Sequence, residues 1–390
     1  MKRRIGLLAV LVVTGSLAVV AAASAHTDSH STAALAISKA SCFTSKIGFE
    51  GPLTGPAGFL GQEQSTWSQL AVRNFNKKYK THFAVKLGDN DLDPALARTL
   101  AQKDISDAKT LAVIGPSTSG GVKATGKLFA SAHLAAITPS ATLPELTNGQ
   151  FPTFFRVVPN DNYQGAGDAT FMARKLKIKR VFIISSQEPY GEGLANITQA
   201  KLKALGVKVD RDSVDPAKET DYSPQATKTS SDTDIVFTPW QVATSAQTLS
   251  QQLLQQGKKA RVFGTDGTFD PSHFKPTNGY VSSFAPDVHG LKSAKTVIAQ
   301  YNGTFHKSFG TFGPPSYTAT LIAADAMRKA CLDGKATRAE VVKLVAKTRT
   351  ASVWGTTISF DKHHDPTNPR SFIFKITNGN YKFVTSSTAK

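Results

Sequence analysis

Between residues 111 and 146, short apolar runs alternate with turns of small polar residues. The run at 111–114 ends in Gly-Pro-Ser-Thr-Ser-Gly-Gly, and the run at 135–137 ends in Thr-Pro-Ser-Ala-Thr. Between them Val122, Gly126, Phe129 and Ala130 recur at helical spacing. The pattern predicts strand, helix and strand, a right-handed βαβ unit with both strands ending at one edge of a parallel sheet. Both hydroxyl-rich turns then lie where open α/β sheets bind ligands. Ser119 is expected just before the helix, with its hydroxyl and the first-turn N–H groups facing a small anion such as a carboxylate. Capping and turn closure account for either turn alone. Two of them at neighbouring strand ends point to a site.

The same alternation runs along the rest of the chain. Strands are predicted at 46–49 and 83–87, with a helix through Leu70, Ala71, Phe75 and Tyr79 and another at 95–105. A second run has strands at 153–158, 180–185, 207–214, 234–238 and 261–264, and helices at 163–176, 191–205 and 244–256. Helices follow at 292–305, 317–332 and 338–346, then antiparallel strands at 356–360, 372–377 and 381–385, the last two turned at Asn378-Gly379-Asn380. Strand–helix repetition of this kind means parallel sheets with helices on both faces. No linker separates the halves, which suits two lobes joined by several crossings of the chain.

The first residues fall outside this pattern. Met1-Lys-Arg-Arg precedes an apolar run from Ile5 to Ala23 and then Ala23-Ser24-Ala25, the arrangement of an export signal cleaved after Ala25. The run is also near spanning length, so an uncleaved anchor is the alternative. Residues 26–43 are small and polar and read as a flexible leader. The formal charge of +18 raises the question of nucleic acid, but the lysines are scattered and do not interleave with aromatics. A solvated basic surface facing an anionic envelope fits an exported chain better. Cys42 and Cys331, an even pair in an oxidising compartment, predict a disulfide. Lipidation of Cys42 is disfavoured by its distance from the apolar run and by the Lys39-Ala40-Ser41 before it.

Signatures of catalysis are missing: no G-x-G-x-x-G, G-x-x-x-x-G-K-[ST], H-E-x-x-H or G-x-S-x-G occurs. Asp89-x-Asp91-x-Asp93 begins like a calcium loop, but Pro94 and Leu100 stand where the glycine and the bidentate glutamate belong. It reads as a turn that caps the next helix. His363-His364-Asp365, between strands and followed by Pro366 and Pro369, reads as a solvated turn. No metal or cofactor is expected, and no enzymatic activity.

Taken in order, several short motifs resemble one family. They are Ile47-Gly-Phe with Gly51-Pro-Leu-Thr-Gly-Pro, Asp89-Asn-Asp-Leu-Asp-Pro, Ile114-Gly-Pro-Ser-Thr-Ser-Gly and Ile137-Thr-Pro-Ser-Ala-Thr-Leu-Pro-Glu-Leu-Thr. Arg156-Val with Asp161-Asn-Tyr-Gln-Gly, Tyr190-Gly-Glu-Gly and Phe263-Gly-Thr-Asp-Gly complete the set. The chain from Lys46 to Val384 thus resembles the leucine/isoleucine/valine-binding proteins, type I solute-binding proteins of ABC importers. The resemblance implies an α/β fold of two doubly wound, Rossmann-like lobes on a multi-strand hinge. Lobe 1 would take residues 44–158 and 287–350, and lobe 2 residues 159–286 and 351–390.

It also implies a monomeric clamp outside the cytoplasm that closes on an amino acid or a similar small solute and hands it to an ABC permease. A receptor that signals with the same clamp is the alternative. By this resemblance Ser119, Ser140 and Thr142 hold the ligand carboxylate and part of the ammonium, Asp266 meets the ammonium, and Tyr190 packs on the ligand. Without it, Asp266 reads equally as a turn cap and Tyr190 as a core aromatic. Two positions depart from the family. Leu60 stands where an aromatic is common in the first loop, and Trp240 falls where a family tyrosine is expected.

Overall fold

The computed structural model describes residues 39–332 and 336–387, so the expected export signal at 1–25 and residues 26–38 lie outside the described residues. Residues 39–42, expected in a flexible leader, instead form a short helix, α1 (Lys39–Cys42). Cys42 is bonded to Cys331 with the two Cα atoms 5.6 Å apart, which holds this end of the chain in place.

The first sheet has five strands: β1 (Lys46–Gly51), β2 (Ala84–Asp89), β3 (Thr110–Ile114), β4 (Ala135–Thr138) and β5 (Phe154–Arg156). All are parallel, in the order β2-β1-β3-β4-β5. Ile47, Phe49, Leu111, Ile114 and Ile137 are buried, as expected of strands covered on both faces. Three helices make the crossovers: α2 (Gly58–Tyr79), α3 (Pro94–Ser106) and α4 (Ser119–Ser131). Asp93 caps α3 by accepting the N–H groups of Ala95 and Leu96, as its turn predicts. The cap of α4 is Thr118, which accepts from Gly121 N at 3.1 Å; Ser119, expected before the helix, is its first residue.

The second sheet begins after α5 (Asp161–Thr170), which ends in a wider turn at Phe171–Lys175. Its parallel strands are β6 (Arg180–Ser186), β7 (Lys208–Val214), β8 (Ile235–Thr238), β9 (Arg261–Gly264) and β10 (Asn278–Ser283). They are linked through α6 (Pro189–Ala204), α7 (Ser223–Lys228) and α8 (Ala243–Gln255). The chain then passes back to the first sheet, where α9 (Lys295–Phe305) and α10 (Gly313–Leu332) pack on α2, and α11 (Arg338–Ala346) packs on β3 and β4. Finally β11 (Thr350–Ala351) and β12 (Thr357–Ile358) pair only with each other, and β13 (Ser371–Thr377) and β14 (Asn380–Ser387) close the second sheet. The order there is β14-β13-β10-β9-β8-β6-β7, with β13 and β14 antiparallel. Asn378 and Gly379 both take positive φ (49° and 77°), the type I′ geometry that suits a two-residue hairpin.

Two α/β lobes result, with the chain passing between them after β5, after β10 and before β13. Each sheet reverses its strand order, beside β1 in the first and beside β6 in the second. Strand ends at such switch points form ligand crevices. Among the elements not foreseen, β10 and α7 are whole additions, and α10 starts at Gly313, ahead of the expected Tyr317. The early start places Pro314 and Pro315 in the first turn, where their missing N–H groups cost nothing. Gly313 also lets α10 close on the Trp67 indole of α2, which stacks on Tyr301 at 4.7 Å.

Candidate functional site

The carboxyl ends of β3 and β4 bring Ser119, Ser140 and Thr142 together, all buried. Their hydroxyls have different duties. Ser140 Oγ donates to Ser117 O at 2.6 Å and accepts from Gln64 Nε2 at 2.7 Å, while Gln64 Oε1 takes the Ser117 hydroxyl at 2.5 Å. Ser140 is thus a brace that ties both turns to α2. Leu60, one turn before Gln64 on the same helix, is buried in the core. Ser119 Oγ accepts from Leu143 N at 3.2 Å and keeps its O–H free to donate. Thr142 Oγ1 is buried with no hydrogen-bond partner.

The second lobe supplies acceptors. Asp266, directly after β9, accepts on Oδ1 from Tyr190 Oη at 2.7 Å and from Gln164 Nε2 at 2.6 Å. The tyrosine oxygen also meets Thr265 Oγ1 at 2.6 Å, so Thr265 donates to it. Glu188 sets the tyrosine's place by capping α6, accepting from Tyr190 N and Gly191 N. Gln164 Nε2 reaches Ser282 Oγ at 3.0 Å, and the Ser282 hydroxyl donates to Asp168 Oδ2 at 2.7 Å. Asp161, Gln164 and Asp168 fall at i, i+3 and i+7, one face of α5. Both carboxylate oxygens of Asp161 are buried and unpartnered.

A continuous path joins the halves. Asp161 N donates to Thr142 O at 2.9 Å, and the Thr142 hydroxyl lies close enough to the Asp161 carboxylate to ease its ionisation without meeting it in hydrogen-bond geometry. Asp161 and Asp266 repel each other electrostatically. The first turns of α4 and α6 face one another, since a Cβ added to Gly120 would stand 3.7 Å from Pro189 Cδ. Gly193 of α6 leaves room for the Leu143 side chain, which a Cβ there would strike. The lobes are therefore closed on these residues.

Burial governs the charge of the acceptors. It raises Asp266 to about 6, against the bonds from Tyr190 and Gln164 that favour its ionised form. Burial, then repulsion from Asp266, pushes Asp161 well above the carboxylate range. Asp168 is held well up by burial, partly countered by Ser282. Tyr190 is kept a neutral donor by burial and by the charge of Asp266.

Trp240 takes a different course. Its indole N–H donates to Ile184 O at 2.7 Å and its ring packs on Tyr222, so the side chain belongs to the second lobe's interior. The His363-His364-Asp365 turn is not simply solvated, as expected. His364 stacks on Phe155 at 4.0 Å, and Asp365 pairs with the fully buried Arg156. That guanidinium also donates to the carbonyls of Ala141 (3.2 Å) and Leu143 (2.9 Å), which fixes the loop carrying Thr142. Among the described residues no group of three His, Cys, Asp or Glu side chains is placed to hold a metal ion.

Asp161, Gln164, Asp168, Glu188 and Arg156 were not singled out as site residues from the sequence. The signal present was a polar stripe on α5, the face that a crossover helix ordinarily fills with apolar residues.

The chain is similar to known proteins over most of its length. A family model described as periplasmic binding protein matches residues 44–380. An amino acid binding protein of Pseudomonas aeruginosa is 27% identical over 285 residues, 70% of this chain and 74% of that one. A Leu/Ile/Val-binding protein homolog of Brucella abortus is 25% identical over 352 residues, 87% and 92% of the two chains. The solved branched-chain amino acid transporter substrate-binding protein LivJ of Streptococcus pneumoniae, in complex with isoleucine, superposes with TM-score 0.78 at 24% identity, covering 88% of this chain and 100% of that one. A solute-binding protein of R. palustris solved with benzoate gives TM-score 0.79 at 16% identity, covering 89% and 98%. The chain belongs to the periplasmic binding protein family.

Proposed function

We propose that this chain is an extracytoplasmic solute receptor that closes on an amino acid, or a similar small amphipathic solute, and delivers it to an ABC permease. The observation that carries this is the enclosed line from Ser119 through Thr142 and Asp161 to Asp266. Hydroxyl donors stand on one side of it and buried, unpartnered carboxylate oxygens on the other. A zwitterion supplies what each side lacks. Its carboxylate takes the Ser119 and Thr142 hydroxyls and the first-turn amides of α4, whose helix end favours an anion. Its ammonium goes to Asp161 and Asp266, with Tyr190 orienting the latter.

Closure excludes water, so these charge-assisted bonds strengthen as the lobes meet. Solute exchange then requires rotation about the three crossings. The lobes divide in this reading at 44–158 with 287–350 and at 159–286 with 351–390. Residues 1–25 are removed on export, the disulfide forms outside the cytoplasm, and the receptor works as a monomer that binds without turnover. Relatives named as amino acid and Leu/Ile/Val-binding proteins favour an amino acid ligand over the benzoate of the R. palustris neighbour.

Calorimetry of Asp266→Ala with the amino acid that most raises the melting temperature tests the reading. Loss of one charged, buried partner costs about 2–5 kcal/mol of affinity. Unchanged affinity would contradict the assignment of the ammonium.

A further inference from the structure

The acceptors in the cleft outnumber what one ammonium group can satisfy. Asp161 Oδ1 and Oδ2, Asp168 Oδ1 and Gln164 Oε1 are all buried without a donor, and all three residues lie on one face of α5. Asp161 and Asp266 suffice for an α-ammonium, which has three N–H bonds. Gln164 and Asp168 follow at the next two turns of α5 and share the Ser282 hydroxyl. The unpartnered amide oxygen of Gln164 adds a non-acidic acceptor beside the carboxylates, and a side-chain amide left half-satisfied in an interior is costly. No protein cation is free to hold these carboxyls ionised. Arg156, the basic side chain that acts on Asp161, has its guanidinium committed to Asp365 and to the carbonyls of the 141–144 loop. Nor do these residues form a metal-binding group.

We propose that the solute carries a second cationic nitrogen, as in a diamino or guanidino acid, and that its distal group is received by Gln164 Oε1 and Asp168 Oδ1. The proposal rests on the amino-acid reading of the cleft and adds the class of side chain. A simple aliphatic amino acid would leave these oxygens dry and unpaired on closure. A distal ammonium or guanidinium supplies two or more N–H donors and the missing positive charge in one group. Asp168 then determines specificity, and Ser282 orients it.

Matched ligands test this on the full chain by titration calorimetry: ornithine against norvaline, lysine against norleucine, and arginine against citrulline. Each pair differs mainly in the distal charge. The expected result is that the cationic member of at least one pair binds at least tenfold more tightly, a preference that Asp168→Asn reduces to less than threefold. The wild-type ratios decide the matter alone if that variant does not fold. Neutral members binding as tightly or more tightly in all three pairs would overturn the proposal. If those neutral ligands still lose affinity in Asp266→Ala, the amino-acid reading survives it. Binding of none of the six would overturn the proposal and leave the amino-acid reading to the Asp266→Ala test.

Discussion

The two halves of the cleft are built on opposite principles. In the first lobe the polar groups satisfy one another: Thr118 caps α4, and Ser117, Gln64 and Ser140 close a hydrogen-bonded circuit that leaves mainly two hydroxyls for a guest. In the second lobe the carboxylates of Asp161 and Asp168 and the amide of Gln164 are buried and left partly unpartnered. One half is a finished, neutral surface, and the other is incomplete until a cation arrives. On the proposed reading, affinity would reside chiefly in the second half, and the first half would set orientation.

The largest effect expected from breaking this division is at Arg156, the strut behind the first half. Arg156→Lys loses the forked contacts to Ala141 and Leu143 and weakens the pair with Asp365. Disrupting a buried pair of this kind costs about 3–5 kcal/mol, read as a fall in urea midpoint. Next comes the disulfide. Cys42 and Cys331 are 289 residues apart in sequence, and replacing both with serine should cost about 2–4 kcal/mol of stability. Solute affinity should stay within about twofold, because the bridge joins α1 to the end of α10, neither of which carries a residue assigned to the cleft.

Ser119→Ala and Ser140→Ala then separate guest contact from brace. The first should weaken binding by about 1 kcal/mol. The second should lower the melting temperature more than it lowers affinity. Equal losses of affinity in the two variants would contradict the roles given to them.

Two smaller effects concern pH. With Asp266 at about 6, a ligand ammonium must displace a proton below that pH, so affinity should fall as pH drops from 7.5 to 5. The slope should be shallower in Asp266→Asn, with Asp161 and Asp168, which burial also raises, supplying what remains. Glu50, buried on β1 with both oxygens unpartnered, has its pKa raised well above the usual value by burial and then by Asp104. A carboxyl raised in the folded state weakens stability as pH climbs above its unfolded value of 4.5. Glu50→Gln should therefore raise the melting temperature by a few degrees at pH 7.5 and change it little at pH 4.5.

Strand–helix alternation was legible because parallel strands covered on both faces must be continuously apolar, as at Leu111–Ile114. The exception, β10, shows why the reading stops where it does. Asn-Gly-Tyr-Val-Ser-Ser looks like loop, yet Ser282 and Ser283 are buried in mid-sheet because Asp168 and Thr311 accept or share their hydroxyl bonds. Asp161 was hidden for the converse reason. An acid in the first turn of a helix is ordinary, and only closure of the lobes leaves its oxygens dry. Trp240 has the size and place of a ligand-packing aromatic, but the carbonyl of Ile184 draws its indole inward. Tertiary partners decide such cases, and spacing along the chain does not encode them.

A crystal structure with the solute retained from the expression host gives the most direct test of the division between the halves. The predicted result is a ligand ammonium within about 3.2 Å of the Asp161 or Asp266 carboxylate and a ligand carboxylate on Ser119 and Thr142. A solute lying with its orientation reversed, or in a cavity that those four residues do not share, would contradict it.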